Sequence, residues 1–122
     1  MGCSPFIFEP DLGGGGGNAD LDDVVLIFTG ATPPIVAGTA IDIQTGVHGG
    51  AGSPATVKGD TITLPASAAL FNSEARIEVS FNGVELDKGT DPGAVEWVST
   101  TQVRLVSNRI FSGNKLTIKV PA

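Results

Sequence analysis

Arg76-Ile77-Glu78-Val79-Ser80-Phe81-Asn82-Gly83-Val84-Glu85-Leu86-Asp87 decides the fold class. Ile77, Val79 and Phe81 alternate with charged or polar residues, which is the period of two that a half-buried strand requires. Asn82-Gly83 follows at once. Both central positions of a type I′ turn need positive φ, and asparagine followed by glycine is the pair that tolerates this best. Val84 and Leu86 resume the alternation on the return, so the stretch predicts an antiparallel hairpin.

The same punctuation extends in both directions. Downstream, Lys88-Gly89-Thr90-Asp91-Pro92-Gly93 reads as a turn, and Val95 with Trp97, Val103 with Leu105, and Leu116-x-Ile118-x-Val120 read as three further strands. Upstream, residues 24–29 form a β-rich run closed by Gly30 and Thr32-Pro33-Pro34. Ala40-Ile41-Asp42-Ile43-Gln44 and Thr61-Ile62-Thr63-Leu64 alternate, and residues 46–54 read as a loop. Residues 65–71 predict one uncapped helical turn with Pro65 at its start. Seven or more short strands with at most one short helix imply an all-β fold, an antiparallel β-sandwich of jelly-roll or Ig-like type, over residues 21–122. Its core is expected to take Ile77, Val79, Phe81, Trp97, Val103, Leu105, Leu116 and Ile118. A chain of 122 residues fits one such domain.

Residues 1–20 read differently, as an extended N-terminal arm. Phe6, Ile7 and Phe8 stand between Pro5 and Pro10, and five glycines, Gly13 to Gly17, form a joint before the body. Three bulky apolar side chains gain nothing in water, whereas each would contribute about 1.5–3 kcal/mol if fully buried. Phe6, Ile7, Phe8, Pro5 and Pro10 are therefore the candidate partner-docking residues. The competing expectation is that this segment folds back on its own domain.

The net charge of −6 lies wholly in the first half: residues 1–57 hold six acids and no lysine or arginine, and residues 58–122 hold seven of each sign. That field repels phosphate backbones and argues against nucleic acid. The longest apolar run, Val24-Val25-Leu26-Ile27-Phe28, is too short to span a bilayer, and no signal-peptide pattern is present, so no membrane partner is expected. Cys3 is the single cysteine, which permits no internal disulfide and no zinc site and fits a reducing cytoplasm.

Candidate chemistry is sparse. His48 lies in a glycine-rich loop and reads as solvated; with Asp42 and Asp60 it is the first residue to test for a hydrolase. Asn18-x-Asp20-x-Asp22 begins like a calcium loop, but Asp23 and Thr29 stand where glycine and glutamate belong. Gly49-Gly50-Ala51-Gly52 lacks the lysine and helix of a phosphate cradle. Trp97 alternates with Val95 into the expected core, although a lone tryptophan also suits a sugar platform. No catalytic residue, cofactor or metal is expected.

Ile77-x-Val79-x-Phe81-Asn82-Gly83-Val84-x-Leu86-x-x-Gly89-x-Asp91, then Val103-x-Leu105, then Ile110-x-x-Gly113-x-x-Leu116-x-Ile118-x-Val120, resembles a β-module that recurs in tailed-bacteriophage virion proteins: tail fibres, baseplate parts and capsid decorations. Two features depart from that pattern. Pro92-Gly93 stands where an aromatic commonly follows the aspartate, and the insertion before Val95 is longer. The resemblance implies a non-catalytic structural protein of a virion, assembled in the host cytoplasm. Its partners would be other capsid or tail subunits and further copies of itself. An adhesion or carbohydrate-binding module is the alternative.

Overall fold

The computed structural model describes residues 21–29, 34–49 and 53–121. Eight strands and one short helix follow in order: β1 (Leu21–Ile27), β2 (Ile41–Asp42), β3 (Thr56–Gly59), α1 (Ala68–Ser73), β4 (Glu78–Phe81), β5 (Val84–Leu86), β6 (Val95–Ser99), β7 (Gln102–Leu105) and β8 (Lys115–Pro121). They form two antiparallel sheets, one of five strands in the order β3-β1-β8-β4-β5 and one of three in the order β2-β7-β6. The fold is all-β. The proposed arm, with Phe6, Ile7, Phe8, Pro5 and Pro10, lies outside the described residues, as do Cys3 and the Gly13–Gly17 joint.

The last strand is the middle of the larger sheet. β8 pairs with β1 along its whole length, from Leu21 opposite Pro121 to Ile27 opposite Lys115, and with β4 from Glu78 opposite Lys119 to Phe81 opposite Leu116. Its alternation is therefore strict: Leu116, Ile118 and Val120 are buried while Lys115 is exposed. Val24, Leu26 and Val79 of the larger sheet and Ile41, Val95, Val103 and Leu105 of the smaller belong to one buried cluster. No polar or charged residue is buried among the described residues.

The hairpin read from sequence is present. Phe81 stands opposite Val84, and Asn82 and Gly83 take φ of 53° and 85°, the two positive values a type I′ turn needs. Asn82 also ties the hairpin to β8: its Oδ1 accepts from the Lys115 amide at 2.9 Å, and its own amide donates to the Lys115 carbonyl at 2.9 Å.

Several local expectations need correcting. The helix is capped, and it starts later than residues 65–71 suggested. Ser67 is extended (φ −150°, ψ 158°) and its Oγ accepts from the Leu70 amide at 3.3 Å, so serine and not Pro65 opens α1. The Pro65 carbonyl instead accepts from the Trp97 indole Nε1 at 2.9 Å. Trp97 and Phe81 are only half-buried and pack against the core, whereas Phe71, on the one buried face of α1, is wholly inside it. An indole needs a partner for its N–H, and a rim position supplies one. Residues 61–64 do alternate, with Ile62 and Leu64 buried, but they form no ladder; the Leu64 amide donates to the Thr100 carbonyl at 2.7 Å. β3 was not visible in sequence, because Val57 is its one inward apolar residue and its pairing with β1 is a backbone matter.

Gly46 and Gly83 share a backbone conformation, with φ of 80° and 85°, but not their surroundings. A Cβ at Gly83 would meet nothing within 4 Å, whereas one at Gly46 would collide with the Ala55 carbonyl. Gly83→Ala is expected to cost about 1–2 kcal/mol, the left-handed backbone penalty alone. Gly46→Ala adds a steric clash with backbone, so its loss should exceed that of Gly83→Ala in urea titration. Equal losses at the two positions would show that the close approach at Ala55 is misplaced.

Candidate functional site

The connection from β5 to β6 carries the chain from one sheet to the other. The Val95 amide donates to the Asp87 carbonyl at 2.9 Å and the Gly89 amide to the Val95 carbonyl at 3.0 Å, while Lys88 forms a parallel bridge with Val95. Between this crossover and the end of α1 lies an open groove of about 460 Å³, lined by Asn72, Ser73, Ala75 and Ile77 on one side and by Glu85, Leu86, Asp87, Lys88 and Asp91 on the other.

Lys88 is the cation in this acidic groove. Its Nζ donates to the carbonyl of Glu74, the residue that ends α1, and stands 5.7 Å from the Phe71 ring centroid. A cation over an aromatic face and on a helix-end carbonyl is doubly favoured. Burial pushes its pKa below the ordinary lysine value, against the opposing pull of Glu74, Glu85 and Glu78. Ser73, the neighbouring hydroxyl, donates to the Leu70 carbonyl at 3.3 Å. Nucleophilic chemistry needs a hydroxyl directed at a base. Here the hydroxyl and the amine each donate to a backbone carbonyl instead.

The residues singled out for hydrolytic chemistry serve the backbone as well. Asp42 Oδ1 accepts from the amides of Gln44 at 2.8 Å and Thr45 at 2.9 Å, an Asx turn. Asp60 Oδ2 accepts from the Asp23 amide at 3.0 Å and closes the end of β3 against β1. His48 is not simply solvated. It bridges Ile41, its ring lies 6.3 Å from that of Phe28, and Nε2 meets the Ser53 carbonyl at 2.9 Å. A carbonyl only accepts, so Nε2 carries a hydrogen, and Nδ1 is buried without a hydrogen-bond partner among the described residues. Of the calcium-like Asn18-x-Asp20-x-Asp22 pattern, Asn18 and Asp20 lie outside the described residues; no cluster of three or more His, Cys, Asp or Glu occurs among those described.

A second surface lies at the end of β1 away from Leu21. Ile35 and Ile110 exchange both backbone hydrogen bonds, at 2.8 and 3.0 Å, and bury their side chains. Their neighbours face the other way: Val36 is 61% exposed and Phe111 52% exposed. Neither the groove nor this surface was legible in sequence. Lys88 sits in an ordinary turn string, and Val36 and Phe111 carry no period that separates an outward apolar residue from an inward one.

The chain matches no known family model, no curated protein and no solved structure.

Because the folded pKa of Lys88 is lowered, the unfolded chain holds that proton to higher pH than the folded one. Stability attributable to Lys88 therefore rises as pH climbs through the lowered value toward 10.5. Urea midpoints measured from about pH 8 to about pH 10.5 should rise for the wild type relative to Lys88→Met. Parallel pH profiles for the two proteins would show that Lys88 is fully hydrated in the folded state.

Proposed function

We propose that this protein is a non-catalytic structural component of a tailed-bacteriophage virion. In this reading the two sheets are the layers of a β-sandwich, and residues 1–20 are an extended arm that docks the body on a neighbouring capsid or tail subunit. One observation carries the reading. The buried cluster runs from Val24 to Val120 and draws on both sheets, so the described residues supply a continuous core among themselves. An apolar triplet placed before such a body suits a partner surface.

The side-chain chemistry supports the same conclusion. Ser73, Lys88, Asp42, Asp60 and His48 each bond the backbone, which is what holding turns and crossovers together requires. The acids of the first half favour a basic rim around the docking groove. Pro5 and Pro10 bias the segment between them toward extended backbone and lower the entropy lost on docking. Many copies in a symmetric particle multiply a modest single contact into firm retention.

The test is a truncation. Deleting residues 1–12 should leave the far-ultraviolet spectrum and the urea midpoint of the body unchanged. In particles purified from cells making the phage, quantitative mass spectrometry should find the truncated chain absent and the full chain present at a fixed ratio to the major capsid protein. Incorporation of the truncated chain at full copy number would overturn the docking role, and absence of the full chain from particles would overturn the virion assignment.

A further inference from the structure

We infer that the surface formed by Val36 and Phe111 receives residues 5–10 of a second copy of this chain, so that copies join head to tail; this rests on the docking role proposed for the arm.

The surface is built by one backbone pairing. The antiparallel bridge between Ile35 and Ile110 sets Val36 beside Arg109 and Pro34 beside Phe111. Val36 and Phe111 are then diagonal neighbours on one face, a separation of about 7–8 Å that an aromatic side chain can span. Turns hold both residues in place: the Thr39 amide donates to the Val36 carbonyl at 3.3 Å, and the Phe111 amide donates to Asn114 Oδ1 at 2.7 Å. A valine and a phenylalanine fixed on turns and more than half exposed form an apolar spot that does not arise from a loose loop.

The position of the spot selects its occupant. Leu21 begins β1 opposite Pro121, and Ile27 ends it opposite Lys115, so the two ends of the strand lie about 20 Å apart. The arm joins the body at the first end. The spot is at the second, where the Phe28 amide donates to the Asn114 carbonyl at 3.0 Å and Ser112 Oγ donates to the Thr29 carbonyl at 2.9 Å. One body thus offers its connector and its apolar spot at opposite poles, the arrangement that generates head-to-tail contacts. Twelve residues lie between Phe8 and Leu21, thirteen Cα steps that extend at most about 43–47 Å. Covering the spot of its own body requires the chain to reverse at Leu21 and run back along the whole of β1. A copy stacked pole to pole presents its spot directly ahead.

Charge agrees with that choice. The segment from Pro5 to Asp11 carries Glu9 and Asp11 and no base. Arg109 beside Val36 is exposed, and so is Lys115 at the same pole. Phe6, Ile7 and Phe8 meet Val36 and Phe111 while Glu9 meets the bases, and the association weakens with salt.

The test uses the full chain with Cys3→Ser, Ile7→Cys and Val36→Cys, oxidised gently and run on a non-reducing gel. The expected result is a ladder of disulfide-linked dimers and larger species, lost when Phe111→Asp is added. Val36 and Phe111 are outward, so these variants keep the core, which an unchanged far-ultraviolet spectrum checks. A monomer closed by an internal disulfide, or no disulfide at all, overturns the inference. If no ladder forms but deletion of residues 1–12 still prevents incorporation into particles, the arm docks on a different subunit, and the virion reading stands while this one falls. A ladder together with full incorporation of the truncated chain supports the contact between copies and overturns docking of the arm on the particle.

Discussion

The strand that ends the chain holds the larger sheet together. β8 supplies one edge to β1 and the other to β4, so removing its seven residues would separate the β3-β1 pair from the β4-β5 hairpin. Its three buried residues, Leu116, Ile118 and Val120, also join the cluster to which both sheets contribute. Pairing of β1 with β8 joins the two ends of the described residues, and its loop-closure cost falls on folding before any packing repays it. The hairpin around Asn82-Gly83 reduces that cost. It forms locally, and it then offers β8 a prepared edge through the two hydrogen bonds between Asn82 and Lys115.

That pairing also fixes the poles of the molecule. With Leu21 opposite Pro121, whatever precedes β1 leaves the body beside the closing strand. The turns at residues 36–39 and 111–114 gather at the far end, with Val36, Phe111 and Arg109 outward. The proposed assembly role draws on such a bipolar body and not on its groove. In the groove, Lys88 and Ser73 are bound to the carbonyls that terminate α1, which fastens the crossover to the helix. The half-buried Glu96–Arg104 pair, 2.8 Å apart across β6 and β7, is a cross-strand contact of the same structural kind.

What the sequence revealed followed the physics of each signal. Asn82-Gly83 was readable because positive φ at two successive residues restricts composition, and the alternation of β8 because a central strand with one buried face must keep period two. β3 was hidden, since its four residues pair through backbone and bury only part of Val57. Residues 61–64 showed the reverse: a true burial period without a ladder, because alternation reports which side chains are inside and not whether amides find a strand. Ser67 as a cap, His48 against Phe28, and Trp97 at the rim depend on neighbours distant in sequence. The docking residues Phe6, Ile7 and Phe8 remain a reading of composition and position.

Hydrogen exchange read by mass spectrometry most directly tests whether this protein is a self-sufficient body joined to its neighbours through an amino-terminal arm. The full chain and the chain lacking residues 1–12 are compared at the same high concentration. Both should protect β1, β4 and β8 equally, while peptides spanning residues 34–39 and 107–114 exchange more slowly only in the full chain, and only at high concentration. Identical exchange at those peptides in the two proteins, or a loss of protection across β8 on truncation, would contradict it.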